Sequence, residues 1–163
     1  MYLQSIKQSE LIIVQSMYQQ AFLPIYKKYH DEATDPYLEP LASIQEKYQR
    51  PNNYFYFAVV NHSRVGMIRT ILNSQKTQAR ISPLLILPPF QGNGFAQQLL
   101  TSIEETFTDI NQWLIDTIAE EPKLVHLYEK MGYQQIPEKQ TTIQSNMHII
   151  FFQKERNQLQ PFV

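Results

Sequence analysis

The most constraining feature of the sequence is an abrupt change of character after Leu87. The apolar residues of 80–87 predict a strand, and the Pro-Pro-Phe-Gln-Gly-Asn-Gly segment at 88–94 predicts a turn. Apolar residues then recur at helical spacing from Phe95 to Phe107. Because the chain has only four glycines, the pair Gly92 and Gly94 marks this turn as the place to look for function. A strand, a glycine turn and a helix in direct succession predict an α/β domain.

The rest of the pattern predicts one mixed domain over residues 1–163, with the element order βααβββαβαββ. Ser9 is expected to cap the first helix, and Pro83 is expected to make its strand irregular or unpaired on one side, since proline has no N–H to donate. The segment 113–118, apolar apart from Asp116, predicts a strand buried on both faces. The predicted strands are 2–6, 54–60, 65–72, 80–87, 113–118, 133–136 and 147–153, and the predicted helices are 11–28, 41–48, 95–107 and 122–131.

Charge and composition exclude several classes of function. Fourteen Lys and Arg against 15 Asp and Glu give a net charge of −1, so no overall positive field attracts nucleic acid or an anionic membrane. Without cysteine there is no thiolate nucleophile and no Cys-ligated metal. No apolar run approaches the roughly 20 residues that span a bilayer, and a cytoplasmic location is expected. The four histidines, His30, His62, His126 and His148, show no metal-ligand spacing, so no metal site is expected.

The glycine turn predicts an anion site. The first N–H groups of a helix have no partner within the helix, and glycine lets phosphate oxygens approach the backbone closely. A P-loop is excluded because Lys-Ser/Thr would have to stand where Phe95-Ala96 stands. A Rossmann fingerprint needs Gly or Ala where Gln97 stands, although Asp116 lies near the expected acidic position. A dinucleotide-binding domain therefore stays open as a weaker alternative.

A third phosphate-binding pattern fits this turn better. Residues 86–96 closely resemble the acetyl-CoA signature of the GNAT superfamily of N-acetyltransferases, Gln/Arg-x-x-Gly-x-Gly/Ala. Gln91, Gly94 and Ala96 occupy its three defining positions. The strand at 113–118 and the later Leu-Tyr-Glu-Lys-Met-Gly-Tyr segment at 127–133 are similar to a second motif of the same family. The resemblance is strongest over about residues 80–135.

The resemblance implies a fold and a co-substrate. The implied fold is a mixed, splayed central β-sheet flanked by helices, and the implied co-substrate is acetyl-CoA. By analogy, backbone groups near 86–88 would bind the pantetheine and residues 91–96 would surround the diphosphate, with Gln91 standing where many members carry Arg. The cofactor-binding residues implied in this way are Ile86, Leu87, Pro88, Gln91, Gly92, Asn93, Gly94, Phe95, Ala96 and Gln97.

The resemblance also implies catalytic roles. Tyr128 matches a tyrosine that protonates the departing thiolate in many members, and a neutral phenol is chemically suited to that task. The alternative for Tyr128 is a core aromatic whose hydroxyl is already hydrogen-bonded. The implied mechanism is direct attack by an amine in a ternary complex, for which Asp116 and Glu121 are candidate bases, ahead of His126 and His30. Glu121 stands where many members carry Asn, and the sequence does not choose among these bases.

The expected acceptor is a primary amine of a small molecule or a peptide. In this family the region from the first to the second helix and the loop before Tyr54 usually shape the acceptor site. Its residues here make it somewhat acidic, which would suit a cationic amine: Tyr26, Tyr29, His30, Asp31, Glu32 and Asp35. The rival of a different class is a non-catalytic acyl-CoA sensor with the same fold. Similar proteins are often dimers, so a homodimer is left open.

Overall fold

A seven-stranded mixed β-sheet forms the centre of the computed structural model, which describes residues 1–156. Its strand order is β1-β2-β3-β4-β5-β7-β6, and every pairing is antiparallel except β4 with β5. The predicted element order is confirmed. The strands are β1 (Tyr2–Ser5), β2 (Asn53–Val60), β3 (Ser63–Leu72), β4 (Gln78–Ile86), β5 (Gln112–Ile118), β6 (Gln134–Gln144) and β7 (Met147–Glu155). The helices are α1 (Leu11–Tyr29), α2 (Leu41–Gln49), α3 (Phe95–Thr106) and α4 (Pro122–Lys130).

The sheet opens between β4 and β5. These strands pair only over 78–81 of β4 and 112–115 of β5, after which β4 continues to Ile86 without that partner. β5 stays paired with β7 as far as Ile118. The pairing of β3 with β4 also shifts register between Ile68 and Thr70, beside the position of Pro83, as expected for a proline within a strand. The predicted splayed sheet is confirmed, and the opening lies directly before the glycine turn.

Two apolar layers hold the helices on opposite faces of the sheet. α3 and α4 cover one face, where Leu99, Leu100 and Tyr128 pack with Ile81 and Ile115. α1 and α2 cover the other face over the first half of the sheet, through a second cluster: Leu11, Val14, Met17, Tyr18, Ile44, Phe55, Phe57, Met67 and Leu85. No helix among residues 1–156 has the length and apolar character needed to cross a membrane.

The β2–β3 hairpin follows from its two turn residues. Asn61 and His62 both adopt positive φ, at 48° and 65°, which is the conformation that a two-residue hairpin turn requires. Asparagine tolerates this conformation better than most residues, because its short polar side chain interacts locally with the backbone. The hairpin predicted from the sequence is therefore confirmed.

Three details of the predicted elements are wrong. β5 is not buried on both faces: Trp113, Ile115 and Thr117 are buried while the residues between them are partly exposed, because α1 and α2 do not extend over this half of the sheet. β6 continues to Gln144 rather than ending at 136, since an exposed edge strand needs no apolar pattern. Ser9 lies in a short 3₁₀ turn, and α1 begins after Glu10 without a side-chain cap.

Candidate active site

The turn between β4 and α3 is shaped by its glycines. Gly92 and Gly94 adopt φ values of +80° and +75°, in the left-handed region that disfavours other residues. No protein atom lies within 4 Å of the position that a Cβ would take at either glycine. Space is therefore left open on the side of the turn where a ligand would meet the backbone.

Six consecutive backbone N–H groups of this turn have no acceptor within the described residues. The amides of Phe90 and Gln91 donate to carbonyl groups of the turn itself, and the first bond of α3 runs from Gln98 to Gly94. The amides of residues 92–97 lie between these two and make no such bond. Since α3 begins here, its dipole adds positive potential at the same place. The arrangement is a preformed binding site for an anionic group.

These amides border a cleft of about 300 Å³ between the turn and α4. The wall on the turn side contains seven of the ten predicted cofactor-binding residues: Ile86, Gln91, Gly92, Gly94, Phe95, Ala96 and Gln97. The facing wall was not predicted and contains Lys123, His126, Leu127 and Lys130. Both lysines are exposed, and neither forms an ion pair within residues 1–156. The cleft therefore combines amide donors on one side with positive charge on the other.

Pro88 and the side chains of Asn93 and Gln91 support the turn. Asn93 donates through Nδ2 to the carbonyl groups of Phe90 and Gln91, at 3.0 and 3.3 Å. Gln91 Nε2 donates to the Ile86 carbonyl at 2.9 Å, so this amide uses one of its two N–H donors to fasten the turn to β4. Pro88 begins the 3₁₀ turn that reverses the chain.

The end of β4 offers one free edge amide. The Leu87 N–H donates to the Val65 carbonyl at 2.8 Å, so it belongs to the sheet and is not available to a ligand. Successive residues of a strand direct their N–H groups to opposite edges, which places the Ile86 amide on the edge that β5 has left. Of the three residues predicted here, only Ile86 can therefore donate from this edge, since Pro88 lacks an N–H.

Tyr128 lies at the inner face of α4 and is 5% exposed. Its ring packs against Tyr133 and Phe152, with centroids 6.2 and 6.0 Å away. Burial, and in second place the negative charge of Asp116, raise the pKa of the Tyr128 hydroxyl above its ordinary value. Within residues 1–156 this hydroxyl has no hydrogen-bond partner. Among the described residues no acceptor is paired with this hydroxyl, and both the general-acid role and the core role of Tyr128 stay predictions.

Glu121 connects α4 to the end of α1. Lys28 Nζ and the Tyr29 hydroxyl both donate to Glu121 Oε1, at 2.6 Å each. Glu121 Oε2 has no partner among the described residues. The backbone carbonyl of Tyr29 accepts from Gln144 Nε2 at 2.7 Å, so the β6–β7 turn meets the same place. Neither Glu121 nor Glu120 caps α4 with its side chain, since Glu120 binds His148.

Asp116 lies where β4 and β5 separate. Its Oδ2 accepts from Arg80 Nη2 at 3.0 Å, and its side chain is 25% exposed. Its charge acts on the pKa of Tyr128, which indicates that the two groups are close. Of the two histidines considered as bases, His126 lines the cleft on a different face of α4 from Tyr128, and His30 ends α1 in a left-handed conformation.

Two of the three carboxylates in the segment after α1 are buried. Asp31 is 4% exposed and accepts hydrogen bonds from the backbone of Ala33 and Thr34. Asp35 is 6% exposed and accepts from the Tyr37 amide at 2.9 Å, and burial raises its pKa. Glu32 is the exposed carboxylate of this segment. The two aspartates therefore shape the loop through these hydrogen bonds, and the expectation that this somewhat acidic region suits a cationic amine stays a prediction.

Comparison with known proteins identifies the family. Residues 12–154 match the sequence profile of the acetyltransferase (GNAT) domain. The chain belongs to the GNAT acetyltransferase family. The resemblance predicted from the glycine turn and the α4 segment is confirmed.

The GNAT relatives differ in what they act on. The chain is 27% identical over 106 residues to a spermidine N(1)-acetyltransferase of Vibrio cholerae, an alignment that covers 61% of each protein. It spans less than two thirds of the length of the curated relatives that it matches. Among solved structures, the ribosomal-protein-S18-alanine N-acetyltransferase of Escherichia coli superposes with a TM-score of 0.74 at 13% identity, covering 99% of this chain and 97% of that one.

A further solved GNAT structure contains coenzyme A. It is an aminoglycoside acetyltransferase that superposes with a TM-score of 0.70 at 15% identity, over 95% of both chains. In the present chain, the cleft residues fit a phosphate-bearing coenzyme, because six amides without acceptors face two lysines without carboxylate partners among the described residues.

Proposed function

We propose that residues 1–163 form an N-acetyltransferase that moves an acetyl group from acetyl-CoA to a primary amine. The observation that carries the proposal is the run of six amides without described acceptors, at residues 92–97, of which five residues line the cleft. Such a run favours a diphosphate over a neutral ligand because each N–H can donate to an anionic oxygen. Family membership supports the same reading.

The coenzyme would be held by the backbone along one wall. The amides of residues 92–97 would donate to its diphosphate, and the Ile86 amide would donate to its pantetheine arm. Gln91 and Asn93 would act indirectly by holding the turn in shape. When bound, acetyl-CoA supplies an acetyl thioester, a carbonyl group that an amine can attack.

Tyr128 would donate a proton to the departing sulfur through its hydroxyl. Burial favours the neutral phenol, and no described residue accepts a hydrogen bond from its hydroxyl. A neutral phenol beside a developing thiolate is a suitable general acid, because the thiolate gains a hydrogen bond as its charge forms.

Either Asp116 or Glu121 would remove a proton from the acceptor ammonium group, directly or through water. Each carboxylate has one oxygen engaged by a cation and one oxygen without a described partner. Measuring kcat/KM against pH for Asp116→Asn and Glu121→Gln separates them. The variant that lacks the base loses the acidic limb of the profile, whereas a structural variant keeps the limb and changes only its height.

The acceptor would be a primary amine of a small molecule or a peptide. One relative carries spermidine in its name and a structural neighbour carries the alanine of a ribosomal protein, so both acceptor classes occur among similar proteins. The acceptor would reach the thioester between the end of α1, the β5–α4 loop and the β6–β7 turn, which meet around Tyr29 and Glu121.

Two measurements test the proposal. Calorimetry with coenzyme A and with NAD is expected to show binding of coenzyme A alone, and NAD binding would instead support the dinucleotide alternative. Acetyl-CoA consumption is then measured with polyamines, aminoglycosides, amino acids and peptides. Turnover with at least one amine is expected. Tight coenzyme binding with no turnover across the panel would favour the sensor, and no coenzyme binding would overturn the proposal.

A further inference from the structure

The wall of the cleft that α4 forms carries two positive side chains, Lys123 and Lys130, for which the proposed function has so far given no role. Lys123, Leu127 and Lys130 recur at i, i+4 and i+7 on α4, so they lie along one side of the helix, and all three line the cleft. Tyr128 lies roughly 130° around the helix from this stripe and is buried in the core. α4 thus presents one side to the coenzyme phosphates and another to the reacting atoms.

These lysines are available to a ligand. Lys28, Lys47 and Lys154 each contact a carboxylate within 4.0 Å, whereas Lys123 and Lys130 form no such pair within residues 1–156. The glycine turn itself contributes no cation. Gln91 stands at the position where the signature has Gln or Arg, and its side-chain amide donates to the Ile86 carbonyl. The positive side chains that line the cleft therefore come from α4.

Coenzyme A carries two anionic groups close together, a diphosphate on the ribose 5′-oxygen and a phosphate on the 3′-oxygen. The amides of residues 92–97 can serve the first group. We propose that Lys123 and Lys130 form a subsite for the 3′-phosphate and so distinguish coenzyme A from its 3′-dephospho form. This inference rests on the proposed function, because it requires the diphosphate to lie against the turn.

The test compares two ligands and two forms of the protein by calorimetry. The ligands are coenzyme A and 3′-dephospho-coenzyme A, and the forms are wild type and Lys123→Gln/Lys130→Gln. Wild type is expected to bind the dephospho form about tenfold more weakly, the effect of one charge-assisted contact at a partly exposed site. In the double variant this difference is expected to fall below about twofold, because coenzyme A loses affinity while the dephospho form does not.

Controls separate a specific subsite from a general effect of charge. Lys27→Gln removes an exposed lysine from α1, on the opposite face of the sheet, and is expected to leave both affinities unchanged. Lys123→Arg/Lys130→Arg keeps the charge and is expected to keep most of the discrimination. Melting temperatures of all variants show whether the fold is intact.

The possible outcomes distinguish failure of the 3′-phosphate subsite from failure of the proposed function. Equal loss of affinity for both ligands in the double variant would overturn the subsite, as would a wild type that does not distinguish them. Failure of wild type to bind either ligand would instead overturn the proposed function. Binding of both ligands by every form with unchanged affinity would leave the amide turn as the binding site and refute any role of the lysines.

Discussion

Two neighbouring tyrosines allow the catalytic role of Tyr128 to be separated from its role in packing. Tyr128 and Tyr133 are both buried, and their rings lie 6.2 Å apart. The Tyr133 hydroxyl donates to Glu104 Oε1 at 2.8 Å, whereas the Tyr128 hydroxyl has no partner within residues 1–156. Replacing each tyrosine with phenylalanine removes one oxygen atom and leaves the ring in place. The two variants should therefore fail in different ways.

The structure gives the expected magnitudes. Tyr133→Phe removes a hydrogen bond to a carboxylate, which contributes about 1.5–3 kcal/mol, so the free energy of unfolding should fall by about that amount. For a chain of this length, this corresponds to a melting temperature about 3–12 °C lower. Tyr128→Phe removes a hydroxyl that makes no bond, so its unfolding free energy should change by less than about 0.5 kcal/mol. Its kcat should fall by about 10²–10⁴, the usual contribution of a positioned general acid.

The assay measures the melting temperature and kcat of both variants with saturating acetyl-CoA and one accepted amine. Coenzyme affinity should remain near that of wild type in both. The reasoning fails if Tyr128→Phe retains more than about one tenth of the wild-type kcat, or if Tyr133→Phe loses as much kcat as Tyr128→Phe. Because burial and Asp116 raise the pKa of Tyr128, its ionisation should not reduce activity below about pH 10.

Three further changes test the backbone and the electrostatics of the fold. Gly94→Ala should weaken coenzyme A binding at least tenfold by calorimetry, while Gly132→Ala, which forces the same left-handed backbone outside the cleft, should cost about 1–2 kcal/mol of stability and keep the affinity. Gly66→Ala would place a Cβ 2.2 Å from a backbone carbonyl of β4, so chemical denaturation should show a loss of about 1–3 kcal/mol. Hydrogen bonds from the side chain and backbone of His148 lower the pKa of Glu120. The ionised carboxylate therefore stabilises the fold at pH values above its ordinary pKa, and this stabilisation is lost as the pH falls through the lowered pKa. Glu120→Gln should accordingly show a smaller loss of stability in acid than wild type.

The order of the elements was predictable because each one has a local signal. Period-two and period-3.6 patterns identify the strands and helices, and the glycine turn identifies the start of α3. β6 was too short in the prediction because an exposed edge strand carries no apolar alternation, as its polar run shows. The two-sided burial expected of β5 was wrong because α1 and α2 stop short of that half of the sheet, and strand composition does not reveal how far a helix extends.

The parts of the candidate site that are formed by residues close together in the sequence could be predicted, whereas the parts formed by distant residues could not. Residues 86–97 are continuous in sequence, so the glycine turn and its resemblance to the acetyl-CoA signature could be identified before the structure, and their role in binding the coenzyme stays a prediction. Lys123 and Lys130 were missed because their position in the cleft depends on how α4 approaches the turn. Their spacing of seven residues, with Leu127 between them, is the local signal that could have revealed a charged stripe. The pairing of Glu121 with Tyr29 joins residues that are 92 positions apart and has no local signal.

This difference between local and distant contacts also separates the proposed coenzyme side of the site from the proposed acceptor side. The proposed coenzyme side consists of residues 86–97 and α4, two short segments that each carry a local sequence pattern. The proposed acceptor side lies where α1, the β5–α4 loop and the β6–β7 turn meet, through contacts between residues 92 to 115 positions apart. Substitutions at Tyr29 or Gln144 can alter that meeting place without touching the amide turn. Under the proposed function, such substitutions are therefore expected to change which amine is accepted while leaving coenzyme A affinity near that of wild type, which calorimetry and the acceptor panel can measure separately.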